Sequence, residues 1–313
     1  MKAMLLAAGR GTGLRPLTDA MPKPMVPVLD RPLMAHVVDL CRRQGFGELI
    51  ANLHYLPDAI RGHFGDALEY RYEEALLGTA GGVRNARDFF GDEPIVVISG
   101  GVLTDVDLTK LVERHRSTGG VATLTVKQVD DAREHGFVLH GADGRVSAFQ
   151  ENPHPDEALS NLRNCGIYCF DRAIFDYFPD SEFVDWANDV FPILLENDVP
   201  FYVHEIDGYW NDVGSPAALR AGTFDALTGA VQIEVPESAP LPGDADVDGD
   251  VWIGQDCRLG SRVSLIGPVV IGQRATIGDR VALRDSIVLS GTDVADDQVV
   301  IGAIYGGPSK QER

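Results

Sequence analysis

Basic residues are scarce in this chain. Its 27 Lys and Arg face 47 Asp and Glu, a formal net charge of −20. A surface of that sign repels nucleic-acid backbones and anionic lipid, so neither is an expected partner. An anionic small ligand is compatible only if the few cations gather at its site. The acidic surplus itself reads as a solubility device or as an adaptation to a salt-rich cytoplasm. Cysteine is also sparse. Cys41, Cys165, Cys169 and Cys257 form no CxxC pair and no zinc-ligand spacing, which points to buried thiols in a reducing compartment. No apolar run approaches the roughly 20 residues that a membrane span requires. Residues 4–8 are too few for a leader's apolar core, so the expected location is cytoplasmic.

What the chain does contain is alternation. Up to about residue 230, short apolar runs at 4–8, 49–53, 95–99 and 122–126 read as buried strands. Stretches 32–43, 108–117 and 216–227 read as helices. That order predicts an α/β domain with a Rossmann-like sheet, and runs at 146–150 and 165–170 predict a mixed extension of it. The segment VPESAPLPGDADVDGD, with three prolines and two glycines, then breaks the pattern as a linker. Beyond it, Ile253, Leu259, Leu265, Ile271, Ile277, Leu283 and Leu289 recur every six residues. Glycine follows four of them (Gly254, Gly260, Gly272, Gly278). A period of six predicts a short left-handed parallel β-helix whose repeated apolar residue points inward. The expected boundaries are 1–230 for the first domain, 231–248 for the linker, 249–305 for the β-helix and 306–313 for a tail. Seven hexads make only a little over two coils, which suggests packing on the first domain or on another subunit, the latter as a homo-oligomer or by pairing with a related chain.

The chemistry concentrates in glycine-rich loops. Gly9, Gly11 and Gly13 follow the first strand, where bare backbone amides can approach phosphate oxygens. Lys23 stands between Pro22 and Pro24, a stiffened setting for a cation near anions.

These strings carry a resemblance. LAAGRGTGLRPLTDAMPKPMVPV is similar to the opening signature GxGTRLxPLT…PKPLLPV of the sugar-1-phosphate nucleotidyltransferases. LLGTAGGVRNA resembles their base-reading loop, above all that of mannose-1-phosphate guanylyltransferases. SGGVLTDVDL, FQENP, NCGIYCF and YWNDVGSP resemble further family segments in the same order. The resemblance implies a reaction of a nucleoside triphosphate (GTP favoured, dTTP as the other option) with a sugar-1-phosphate. Its products are a nucleotide sugar and pyrophosphate, and its cofactor is Mg²⁺. Carried over by position, it assigns Ala8, Gly9, Gly11, Thr12, Gly13, Gly78, Thr79, Gly81 and Gly82 to the nucleotide. It assigns Lys23 and Arg15 to catalysis, Gly136, Glu151, Asn152 and Asn164 to the sugar, and Asp212 to the metal.

Three positions depart from the motif. Its loop arginine is Gly13, its first metal aspartate is Gly101, and the lysine of its EKP is Asn152. One preorganised electrostatic group contributes about 10²–10³ in rate, so these losses bear on turnover more than on binding. Arg10, Arg15, Asp105 and Asp107 stand nearby in sequence as conceivable substitutes. Two readings stay open: a slow or altered nucleotidyltransferase, and a non-catalytic paralogue that holds a nucleotide sugar and regulates a partner.

Overall fold

The computed structural model describes residues 1–129, 137–150, 160–241 and 244–307. It contains two compact units. The first comprises Met1–Gly9, Val37–Gly101 and Val106–Trp210. The second comprises Arg10–His36, Val102–Asp105 and Asn211–Arg313.

The first unit is built on a nine-stranded mixed sheet. Its parallel centre sets Lys2–Leu6 between Ile95–Ser99 and Glu48–Leu53, with Glu69–Tyr72 beyond. Ala3, Met4, Leu5, Val96, Val97 and Ile98 are all fully buried, as the central strands of a sheet covered on both faces must be. The antiparallel strand Leu162–Phe170 flanks Ile95–Ser99 and extends the sheet towards Ala122–Gln128 and Phe201–Glu205. The hairpin of Phe137–His140 and Val146–Gln150 joins the same edge. On one face Trp186 stacks on Phe170 at 4.2 Å between ring centroids, beneath Phe191 and Phe201.

Several expected boundaries move by a few residues, two of them for a clear local reason. The first strand stops at Leu6 rather than at position 8, because the next amide, Ala7 N–H, donates to the Asn52 side chain. Helix Leu33–Arg43 starts one residue late, because Pro32 belongs to a two-stranded hairpin with Pro27–Val28. The turn of that hairpin places Leu29 (φ 50°) and Asp30 (φ 60°) in the left-handed region that two-residue hairpin loops demand.

The second unit holds the six-residue repeat. Its strands stack in parallel: Leu265 lies against Leu283, Val251 against Val269 and Leu259 against Ile277, each pair 18 residues apart. Three hexads per coil require that spacing, and Ile253, Leu265, Ile271, Ile277 and Leu283 line the apolar interior. The last coil is one residue shorter. The offset falls to 17 between Ile266 and Val269, so Ile271 pairs with Val288. Val288 therefore fills the interior place that strict six-residue counting gives to Leu289.

Asp30 ties the hairpin to the coils. Its Oδ2 accepts from the Gln273 backbone N–H at 2.6 Å, and its Oδ1 accepts from Ser290 Oγ at 2.6 Å. Gly254 and Gly272 leave room for it, since a Cβ at either would collide with its carboxylate.

Cys41, Cys165 and Cys169 are buried and unpaired, and Cys257 is half-buried. Burial pushes the thiols of the first three up to about 12. No helix among the described residues is long and apolar enough to cross a membrane.

Two outcomes are expected. Asp30→Ala removes two hydrogen bonds to a charged acceptor and should lower unfolding stability by about 2 kcal/mol in urea titration, whereas an unchanged midpoint would show that the latch contributes nothing. At pH 8 a thiol titrating near 12 is protonated and carries thiolate only as a fraction of about 10⁻⁴. Cys41, Cys165 and Cys169 should thus react with a thiol reagent only after denaturation.

Candidate functional site

In the glycine loop, Gly9 closes a segment of the first unit and Arg10 opens a segment of the second. Gly9 and Arg10 are exposed, and a Cβ on Gly9 would meet nothing within 4 Å. Gly11 is different. It has φ 61°, and a Cβ there would stand 2.7 Å from Lys23 Cβ and 3.2 Å from Thr18 Cγ2. Thr18 Oγ1 donates to the Gly11 carbonyl at 2.7 Å, which closes the loop. Thr12–Leu14 forms one tight turn, anchored by fully buried Leu14 while Thr12 and Gly13 stay exposed.

Lys23 follows on a second tight turn, Lys23–Met25, between buried Pro22 and Pro24. The prolines fix φ on either side, so the aliphatic stem leaves a rigid support. Its Nζ donates to the Asp212 backbone carbonyl at 2.6 Å. Arg15, by contrast, is exposed and paired with Asp19 at 3.1 Å, one turn along.

Asp212 sits on a strained turn. Asp212 Oδ1 accepts from Gly214 N–H at 3.2 Å, and Asn211 Oδ1 accepts from Val213 N–H at 2.8 Å. Between them Val213 has φ 46° and is fully buried. Positive φ at a β-branched residue costs about 1–3 kcal/mol and persists only where surroundings over-determine it.

The donor set for a metal is thin. Among the described residues no group of three His, Cys, Asp or Glu stands together. Gly101 contributes no side chain, and its N–H faces Ser99 Oγ at 3.3 Å. The two carboxylates nearest in sequence are engaged elsewhere. Asp105 accepts from Gln232 N–H at 2.9 Å, and Asp107 caps helix Leu108–Thr118 through Lys110 N–H. Asp212 alone thus fits the way Mg²⁺ is commonly held, by one or two carboxylates plus phosphate oxygens of the substrate.

In the first unit, the residues resembling the base-reading loop form helix Gly78–Asn85. The space that its glycines leave is taken by protein. A Cβ on Gly78 would collide with Val184 backbone, and one on Gly82 would lie 2.6 Å from Asn52 Nδ2 and 2.8 Å from Glu73 Oε1. Gly81 likewise meets Leu77 and Glu182. Thr79 Oγ1 donates to Asp185 Oδ2 at 2.6 Å and accepts from Trp186 N–H. Ala8 is almost fully buried. Asn164 turns inward too: its Nδ2 donates to Tyr168 Oη at 2.9 Å and its Oδ1 accepts from Gly166 N–H. Gly136, Glu151 and Asn152 lie outside the described residues.

Asn52 and Glu73 escape sequence reasoning, yet they wire this region together. Both are buried. Asn52 Oδ1 accepts from Ala7 N–H at 2.8 Å, its Nδ2 donates to Glu73 Oε1 at 2.7 Å, and Glu73 Oε2 accepts from Leu77 N–H at 3.1 Å. The end of the first strand and the start of helix Gly78–Asn85 are thereby held to one another. The available signal was a polar residue inside the apolar run IANL, since a buried amide keeps its partners.

The profile of the nucleotidyl transferase family matches residues 2–228. The chain is 33% identical over 299 residues to a UTP–glucose-1-phosphate uridylyltransferase of Synechocystis, covering 85% of this chain and 77% of that one. It is 34% identical over 234 residues to a mannose-1-phosphate guanylyltransferase of Mycobacterium tuberculosis, covering 72% of this chain and 65% of that relative's length. Among solved structures, HddC of Yersinia pseudotuberculosis, complexed with GMP-PN, superposes with a TM-score of 0.61 at 22% identity. That match covers 71% of this chain and 97% of HddC, and at such identity it shows the fold alone.

Asn52→Ala strands the Ala7 amide and one Glu73 oxygen in the interior. It should lower stability by about 3 kcal/mol in urea titration, while a loss within error would mean the network is dispensable.

Proposed function

Because the chain belongs to the nucleotidyl transferase family, we propose that it joins a nucleotide to a sugar-1-phosphate. A phosphate oxygen of the sugar-1-phosphate attacks the α-phosphorus of a nucleoside triphosphate. The bond to the oxygen bridging the α- and β-phosphates breaks, so a nucleotide sugar and pyrophosphate leave. No covalent enzyme intermediate is needed, and the protein's work is to position phosphates and neutralise charge.

The observation that carries this reading is Lys23. It is a cation held between two prolines, bonded to the Asp212 carbonyl, on the segment that follows the glycine loop. Lys23 would bind the sugar phosphate and the α-phosphate. The backbone at exposed Gly9 and Thr12 and at half-buried Gly11 would approach the remaining phosphate oxygens. Asp212 would hold Mg²⁺, whose chemistry is to neutralise charge on those oxygens. For the base, guanine is favoured by LLGTAGGVRNA and by the mycobacterial relative, with mannose-1-phosphate as co-substrate. The uridylyltransferase relative makes UTP with glucose-1-phosphate the competing pair, and dTTP remains a third nucleotide to test.

A second reading has its own support. Gly13 and Gly101 carry no charge, Arg15 pairs with Asp19, and Asp105 and Asp107 accept from the Gln232 and Lys110 backbone N–H groups. A nucleotide-sugar-binding paralogue that acts on a partner keeps the cradle without the turnover.

One experiment separates the two. Pyrophosphate release is followed with GTP and mannose-1-phosphate, UTP and glucose-1-phosphate, and dTTP with either sugar phosphate, all with Mg²⁺. The enzyme reading expects GTP with mannose-1-phosphate to be best, at a rate about 10²-fold or more below an ordinary kcat of roughly 10 s⁻¹. Tight calorimetric binding of GDP-mannose with no pyrophosphate from any pair would overturn it in favour of the binding reading.

A further inference from the structure

Glycine at position 13 stands where the family motif has an arginine, and loss of the guanidinium does not explain why glycine took the place. The structure supplies a reason. A Cβ on Gly13 would stand well inside 3.0 Å of the Gly214 carbonyl oxygen. That oxygen belongs to backbone and cannot swing aside as the tip of a long side chain can. Gly13 does not have positive φ, so what it supplies is space rather than backbone freedom.

The carbonyl that occupies this space ends the strained turn at 212–214. Val213, β-branched at φ 46° and fully buried, would relax if its surroundings allowed it. On one side the turn is held by Asn211, whose Oδ1 accepts from Val213 N–H and whose Nδ2 donates to the Ala218 carbonyl at 3.0 Å. On the other side it is held by contact with Gly13. The same turn carries the Asp212 carboxylate, and the Asp212 carbonyl receives the Lys23 ammonium. Gly11 repeats the device a step earlier, leaving room for Lys23 Cβ.

We infer that Gly13 is a positioning residue: its bare Cα seats the Gly214 carbonyl and so holds the strained turn that orients Asp212 and Lys23. The kinetic part of this inference rests on the nucleotidyltransferase reading; the structural part does not. One consequence is specific. Gly13→Arg returns the family's charge to the loop but drives a Cβ into Gly214, so the charge arrives with the turn displaced.

Gly13→Ala and Gly13→Arg are compared with the native protein by pyrophosphate-release kinetics, thermal unfolding, and amide hydrogen exchange of peptides covering 209–216. For Gly13→Ala, kcat should fall about tenfold or more, with KM for mannose-1-phosphate changed by less than about threefold. Its thermal midpoint should stay within about 3 °C of native. Exchange at 212–214 should quicken while the β-helix strands keep their protection. Gly13→Arg should lose at least as much turnover. A Gly13→Arg protein faster than native overturns the inference, and so does a Gly13→Ala protein with native kcat and native exchange. If the native protein releases no pyrophosphate, the reaction reading fails and exchange alone decides. Faster exchange at 212–214 in Gly13→Ala then upholds the inference, and unchanged exchange overturns it.

Discussion

The bond from Lys23 Nζ to the Asp212 carbonyl joins two segments 189 residues apart, and the proposed phosphate site depends on it. A lysine on a flexible loop would lose much of its effect to side-chain entropy. Here Pro22 and Pro24 stiffen its support, and Gly11 lets its Cβ pack against the loop backbone. The charge-assisted bond then sets where the ammonium ends. The partner segment is no less constrained, with Val213 in a conformation that its neighbours must impose. Rigidity on both sides is what electrostatic catalysis asks of a site, since groups placed in advance need not reorganise during reaction.

That loop belongs, in packing, with the C-terminal coils. Asp30 bonds to Gln273 and Ser290, and Arg220 of helix Pro216–Leu227 donates to the Gly302 carbonyl. Residues 10–36, the turn at 212–214 and the β-helix therefore form one compact unit. A short β-helix buries little apolar surface of its own. Here its coils also serve as the ground on which the hairpin behind Lys23 stands.

Much of the architecture was legible from periodicity. Buried strands showed as apolar runs, and the six-residue repeat anticipated partners 18 residues apart. What escaped was local. Leu289 keeps the period, yet a one-residue shortening after Arg284, opposite Ile266, hands its place to Val288, and no spacing rule registers such an irregularity before the ladder is seen. Glycines were legible as a class but not by role. Gly9 is open, Gly11 makes room for Lys23, Gly13 admits a carbonyl, and Gly82 fits against Asn52 and Glu73. A glycine states only that a Cβ is missing; what fills the space is a tertiary fact. The polar Asn52 inside an apolar run marked a buried amide but not its partners, because the Ala7 amide and the Glu73 carboxylate lie 45 and 21 residues away in sequence.

Lys23 is the cation proposed to receive phosphate. Calorimetric titration of GTP with Mg²⁺ into native protein and into Lys23→Met, with folding checked by circular dichroism, measures this directly. Loss of one charge-assisted contact should raise Kd by about tenfold to a hundredfold in the folded variant. A folded Lys23→Met protein that binds GTP with the native Kd would contradict it.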